Sequence, residues 1–308
     1  MAGLRIAFFG LPLAALLLAR DGHQVVLAAI CRRDGVGLRR LQKEIGSARV
    51  LIRPSVTDPT LLERVRTEKP DLLVSWFWTT RLPMALVRAA RLSGIGVHPS
   101  LLPRHRGPDP TYWAIAAGDR ETGVTVHQIE ESYDTGEILA RERLAIDPSW
   151  NAWQLARALD RPSLRLLRGT VSRLARGERI LTEPQDPALA TAAPAPDDEA
   201  CAIRWSWTTD RVLRQIRALA PAPGAWTEIA GRLVTILRAE PARDFPSVLA
   251  PGEGATQGGE IAVVRTADGA IALLEGEIEG QPARAADLAR FFAQARARSS
   301  AKRRRGNA

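Results

Sequence analysis

The sequence predicts an α/β protein: a Rossmann-like, mostly parallel sheet with helices on both faces, followed by a smaller, strand-rich C-terminal domain. Three observations point there. The chain opens as strand, turn, helix and strand, its apolar run at residues 4–9 broken at Gly10-Leu11-Pro12 and a second buried strand following at 24–30. Helix-like and strand-like segments then alternate as far as residue 146. Beyond a proline- and alanine-rich segment at 183–199, the pattern changes to short strands at 227–229, 233–238, 260–265 and 271–275.

Each element has a local reason. A basic start followed by apolar residues has the look of a secretion signal, but the break at Gly10-Leu11-Pro12 suits a strand-to-helix turn better. Gly10 is not part of a G-x-G-x-x-G loop, so nicotinamide dinucleotide binding is not indicated. A turn at 32–35 leads to a helix at 38–45 and a strand at 50–52. Asp58 stands at the N-cap and Pro59 at the first position of a helix over 58–68. Pro70-Asp71 introduces a strand at 72–76, and of Trp76, Phe77 and Trp78 at least one belongs to the core. Two amphipathic helices follow at 151–160 and 163–176, the second ending at Gly177, and their leucines and alanines are packing residues. Residues 183–199 hold Pro184, Pro187, Pro194 and Pro196 among alanines and acids, which cannot build a core and read as a linker. The expected domains are therefore 1–182 and 200–293, with a basic tail at 294–308 expected to be solvated and disordered.

Composition narrows the function classes. The 308 residues allow two domains, and 45% hydrophobic with 25% charged residues is ordinary for a globular protein. The two cysteines, Cys31 and Cys201, lie far apart without metal-ligand spacing, which speaks against a disulfide framework or a zinc site and for a reduced, cytoplasmic protein. No stretch is long and apolar enough to span a bilayer. A net charge of +9 and a pI near 10.7 invite an acidic partner such as nucleic acid. Lysine, however, occurs only at Lys43, Lys69 and Lys302, and arginine with abundant alanine and leucine is also what a GC-rich genome produces.

The densest chemistry lies at 94–137. His98 ends a short apolar run and is followed at once by Pro99, which places it at a strand's exit. Thr122-Gly123-Val124-Thr125-Val126-His127 alternates like a strand, and Ser132-Tyr133-Asp134-Thr135-Gly136 is a turn with a carboxylate at its centre.

The phrases H-P-S-L-L-P-x-x-R-G-x-x-P from His98, T-G-V-T from Thr122 and D-T-G-E-I-L from Asp134, in that order and at those separations, resemble the formyltransferases that use 10-formyltetrahydrofolate. The opening F-F-G-x-P at Phe8 is similar to theirs too. Farther on, I-R-A-L-x-P-x-P-G-A-W-T from Ile216 resembles the OB-like barrel that ends the tRNA-acting members, which extends the likeness to about residue 292. The resemblance implies that His98 stabilises the oxyanion formed when an amine attacks the formyl carbon, and that Asp134 orients the imidazole and moves a proton. It also implies folate contacts at Leu82, Pro83, Ser100 and Asp134, with 10-formyltetrahydrofolate as formyl donor and no metal.

One position departs from the family pattern. The asparagine two residues before the histidine, which supplies a second oxyanion donor, is Gly96 here. Losing such a donor costs about 2.7–4 kcal/mol. Either another group such as a backbone N–H or the His127 imidazole fills the vacancy, or the enzyme is slow, or the protein binds folate or RNA without catalysis. The segment at 31–54 lacks the long basic loop of the tRNA-acting branch, which favours a small-molecule amine, an amino sugar or a hydroxyornithine-like precursor, over methionyl-tRNA as acceptor. A formyltetrahydrofolate hydrolase would use the same pair with water, but the regulatory domain usual before it is not seen here.

Overall fold

A computed structural model describes the backbone of residues 3–306 and the side chains of 3–295. Two compact units divide it, and the division does not fall at a single point. The first takes the chain to Pro110 together with Glu121–Ala145 and Ala156–Pro194, and the second takes Thr111–Arg120, Ile146–Leu155 and the chain from Ala195.

The first unit is built on β1 (Arg5–Gly10), α1 (Pro12–Arg20), β2 (Gln24–Ile30), α2 (Leu38–Ile45), β3 (Val50–Ile52), α3 (Pro59–Glu68), β4 (Leu72–Trp76), α4 (Met84–Val87) and β5 (Gly94–His98). The next helix, α5 (Pro110–Ala117), begins as the first unit's opening stretch ends. β6 (Glu121–Gln128) and β7 (Ile138–Ala145) complete the sheet, whose order is β3-β2-β1-β4-β5-β6-β7. Pairing is parallel from β3 to β5 and antiparallel from β5 to β7. The inner strands are apolar on both faces, as a sheet covered on both sides requires.

The order in which strands are added reverses between β1 and β4, where open α/β sheets hold their ligands at the carboxyl ends of the strands. Gly10 closes β1 there with φ +146, and a Cβ on it would lie 1.9 Å from the Trp76 carbonyl oxygen, so no other residue fits. Asp58 caps α3 by accepting from the Thr60 N–H at 2.8 Å, with Pro59 next to it, as the sequence indicates.

Three segments differ from the local reading. The helices expected at 151–160 and 163–176 are one, α6 (Ala152–Ala175), running through Pro162. Beside Pro162, the Ser163 hydroxyl donates to the Asp160 carbonyl at 2.8 Å and accepts from Trp76 Nε1–H at 3.1 Å, which ties the helix at this point to the end of β4. The expected linker is, over 183–194, bonded onto the first unit: Glu183 exchanges both backbone hydrogen bonds with Ile138, and Ala192 bridges Arg106. Its prolines rule out a core but not a strap pinned by its own polar groups. Of the expected tail at 294–308, the backbone as far as Gly306 continues a helix, α9 (Ala285–Gly306), in keeping with the helix propensity of alanine and arginine, and the last two residues lie outside the described ones.

The second unit holds α7 (Asp198–Cys201), α8 (Thr209–Leu219), β8 (Ala225–Ile229), β9 (Arg232–Pro241), β10 (Gly254–Gln257), β11 (Ile261–Arg265), β12 (Ala270–Ile278) and β13 (Gln281–Arg284) before α9. Its strands pair antiparallel in the order β10-β11-β12-β9-β8, with β13 also on β12. This is the smaller β domain expected, with two short strands, β10 and β13, that carried too little apolar pattern to be read. Ahead of α8, Ala202 makes an isolated bridge to Trp226.

Candidate active site

Alternation along β5 puts Gly96 and His98 on one face of the sheet. The antiparallel register with β6 sets His127 opposite Gly96 and Thr125 opposite His98. The absence of a side chain at Gly96 is what admits the His127 ring: a Cβ at 96 would lie 2.8 Å from His127 Nε2. The two imidazoles meet edge to face, 6.5 Å between centroids.

Asp134 stands between them. Its Oδ2 is 3.4 Å from His98 Nδ1 and its Oδ1 is 3.5 Å from His127 Nε2. Both separations are at the long end for a hydrogen bond. The outer nitrogen of each ring is taken by a backbone carbonyl, His98 Nε2 by His105 at 2.7 Å and His127 Nδ1 by Gln128 at 2.7 Å. Since carbonyls only accept, these contacts put a proton on each outer nitrogen and leave the inner nitrogens to the carboxylate. Asp134 has φ +55, a left-handed conformation that costs a non-glycine residue roughly 1–2 kcal/mol, and the Gly107 N–H donates to its Oδ2 at 2.9 Å.

The electrostatics follow from burial and from these neighbours. Burial alone would raise the Asp134 carboxyl, but the His98 charge, hydrogen bonding and charge from His127 and the Gly107 N–H together hold it at about 2. Burial lowers the His98 imidazole below its usual 6.5, and the Asp134 charge and the His105 carbonyl only partly offset this. At neutral pH the carboxylate is therefore ionised and the His98 imidazole is neutral, with a lone pair on Nδ1.

Of the other expected site residues, Leu82 is 5% exposed and its side chain packs with Phe9, Leu86 and Val87 in the core. Pro83 sits at the N-cap of α4. Next to them, Phe77 has φ +56 and stacks on Trp76 at 4.5 Å, and the Arg81 N–H donates to the Tyr133 hydroxyl at 2.9 Å, tying the loop after β4 to the loop of Asp134. Trp76 itself is a core residue, 2% exposed. Ser100 is fully covered, and its hydroxyl donates to the Arg104 carbonyl at 2.6 Å while its carbonyl accepts from the Thr125 hydroxyl at 2.7 Å. The structure thus places Ser100 as a brace of the turn after His98, its hydroxyl proton already engaged. Among the described residues no cluster of His, Cys, Asp and Glu is set to hold a metal ion, and no helix is long and apolar enough to cross a membrane.

A second feature of this unit is a cleft of about 630 Å³ floored by Leu13 and Leu16 of α1 and rimmed by exposed Arg33, Arg39 and Arg40. It arises where the chain passes from β2 into α2.

Residues 6–168 match the formyl transferase family, and residues 197–293 match the formyl transferase C-terminal domain. The chain is 35% identical over 306 residues to the methionyl-tRNA formyltransferase of Anaeromyxobacter dehalogenans (strain 2CP-C), covering 93% of this chain and 96% of that one. Among solved structures, HypX from Aquifex aeolicus in complex with tetrahydrofolic acid is similar with a TM-score of 0.66 at 20% identity, over 89% of this chain and 44% of that one. An N-formyltransferase from Helicobacter canadensis with folinic acid and dTDP-3-aminofucose is similar with a TM-score of 0.66 at 16% identity, over 91% of this chain and 100% of that one.

Proposed function

The chain belongs to the formyl transferase family, and on that premise we propose that it moves the formyl group of 10-formyltetrahydrofolate to the α-amino group of an aminoacyl-tRNA, methionyl-tRNA being the acceptor. The family match supports a folate-borne donor, as do the folates held by two structural neighbours. Binding would fall to the carboxyl ends of β1, β4 and β5, along the backbone of the loop carrying Leu82 and Pro83 and beside Asp134. Ser100 would serve by shaping the turn.

The observation that carries the chemistry is the Asp134 carboxylate held between two imidazoles whose outer nitrogens are already engaged. The amine nitrogen attacks the formyl carbon, the C=O bond opens to an oxyanion, and His98 Nδ1 takes the proton that the nitrogen loses. The resulting imidazolium lies against ionised Asp134, which stabilises it, and its Nδ1–H is available to the oxyanion. As the oxyanion collapses, the bond from carbon to N10 breaks and the same proton passes to N10 of the departing tetrahydrofolate. The His127 imidazole fills the space that Gly96 leaves open and lies against Asp134, so the position of the missing asparagine holds a polar ring and a glycine at 96 does not require a protein that only binds.

For the acceptor, relatives that span nearly the whole chain are methionyl-tRNA formyltransferases, which favours tRNA over the small amine expected from the short 31–54 segment. The arginine-rimmed cleft in that segment suits phosphate, and arginines that neutralise phosphates supply much of nucleic-acid affinity. The test is competition: purified protein, 10-formyltetrahydrofolate and a mixture of charged initiator tRNA, amino sugars and hydroxylated amino acids. Formyl label on the tRNA is the expected result. Label only on a small amine overturns the acceptor, and no label on any nitrogen overturns the activity.

A further inference from the structure

The strap at 183–194 carries a side chain that does more than fasten it. Gln185 donates one amide N–H to the Asp134 carbonyl at 2.8 Å and the other to the Gly136 carbonyl at 2.7 Å. Its Oε1 accepts from Arg106 twice, from Nε at 3.0 Å and from Nη2 at 2.7 Å. A primary amide has two donors and two acceptor lone pairs, and all four are used here. One side chain thus spans the loop that follows His98 and the loop that carries Asp134.

The remainder of the strap works on the first of those loops. The Thr191 hydroxyl accepts the His105 N–H at 2.8 Å and its carbonyl accepts the Arg106 N–H at 2.8 Å, while the Ala193 carbonyl accepts from Asp109 at 3.0 Å. The His105 peptide so held is the one whose carbonyl takes His98 Nε2, and Gly107, one residue past Arg106, is the donor to Asp134 Oδ2.

We infer that Gln185 is a positioning residue: its amide holds Asp134 in a left-handed conformation with the carboxylate aimed between His98 and His127, and Thr191 fixes the carbonyl that sets the His98 tautomer. The inference rests on the proposed pairing of His98 with Asp134. Gln185 touches neither reacting group, so its loss acts on the rate of the chemical step through Asp134. A misplacement of about 1 Å by a residue away from the chemistry costs on the order of a hundredfold.

The experiment compares Gln185→Ala, Gln185→Glu and Asp134→Asn in the full-length protein, measuring kcat, KM for 10-formyltetrahydrofolate and the pH dependence of kcat. Gln185→Glu keeps the length and the acceptor for Arg106 but lacks both amide donors. Both Gln185 variants are expected to lose roughly 10- to 100-fold in kcat with KM changed less than about threefold. Their ascending pH limb is expected to move to lower pH, in the direction that Asp134→Asn moves it, because His98 loses its carboxylate. A Gln185→Glu variant as active as the parent shows that only the Arg106 contact matters and overturns the inference. So does a fall in kcat with an unmoved limb, which a merely structural role would produce. An inactive Asp134→Asn beside fully active Gln185 variants overturns it alone, whereas a fully active Asp134→Asn overturns the reading of Asp134 and this inference with it.

Discussion

Gly96 and His127 face each other across the antiparallel pair of β5 and β6, and the imidazole occupies the space that a side chain at 96 would enter. The vacancy and the histidine are one arrangement. Restoring the family's asparagine at 96 would therefore displace His127 from Asp134 unless the ring swings aside. Gly96→Asn and Gly96→Ala are expected to lower kcat, by roughly tenfold or more for a group moved by an ångström, when formyl transfer is followed under saturating folate. A sharp rise in either variant would show that Gly96 is a handicap and that His127 contributes nothing from its present position.

His98→Ala removes the proton acceptor and the charge that meets the oxyanion. A positioned acid–base group contributes about 10²–10⁴-fold, so kcat should fall by that much while folate affinity stays within about tenfold. Isothermal titration with a non-transferable folate reads the second quantity. Retained turnover takes His98 out of the mechanism.

The pH profile has a defined sign. Burial places the His98 imidazole below 6.5, and the reaction as proposed needs it neutral, so kcat should rise with pH through a limb below 6.5 and level off towards neutrality. Asp134→Asn withdraws the carboxylate that favours the charged imidazole, so this limb moves down and the plateau falls. A limb that stays in place in the Asn variant rejects the pairing.

Asp134 also links pH to stability. Its carboxyl lies at about 2 in the folded chain against an ordinary 3.8, so the native state holds the charged form more firmly than the unfolded chain does. That contribution, roughly 2 kcal/mol, is present above about pH 4 and is lost as pH falls towards 2. Acid unfolding followed by circular dichroism should be flatter between pH 4 and 2 in Asp134→Asn than in the parent.

The cleft beside α2 gives a separate test of the acceptor. Replacing Arg33, Arg39 and Arg40 with alanine should raise KM for charged tRNA and reduce its salt dependence by roughly one unit of log–log slope for each arginine that meets a phosphate, leaving the folate KM unchanged. An unaltered KM and slope for tRNA removes this cleft from acceptor binding.

What the chain declares by itself is what neighbours along it decide. Asp58 and Pro59 start a helix because a cap needs only the next turn, and Pro12 opens α1 straight after β1 because a proline at the first helical position needs nothing from farther along the chain. Alternation from Thr122 to His127 announces β6, and Pro99 puts His98 at the end of β5. Those signals, joined to the motif order, were enough for the fold, the family resemblance and the pair of His98 and Asp134. Only the tertiary structure could set His127 over Gly96, because cross-strand register belongs to two segments at once and to neither alone. Only it could turn a proline-rich linker into a strap, since Gln185 finds its three partner residues 49 to 79 positions away and a hydrogen bond of that span leaves no periodicity to read. Pro162 teaches the same lesson from the other side: by local rules it ends a helix, yet α6 passes through it at a point where Ser163 is bonded to Trp76, 87 residues away.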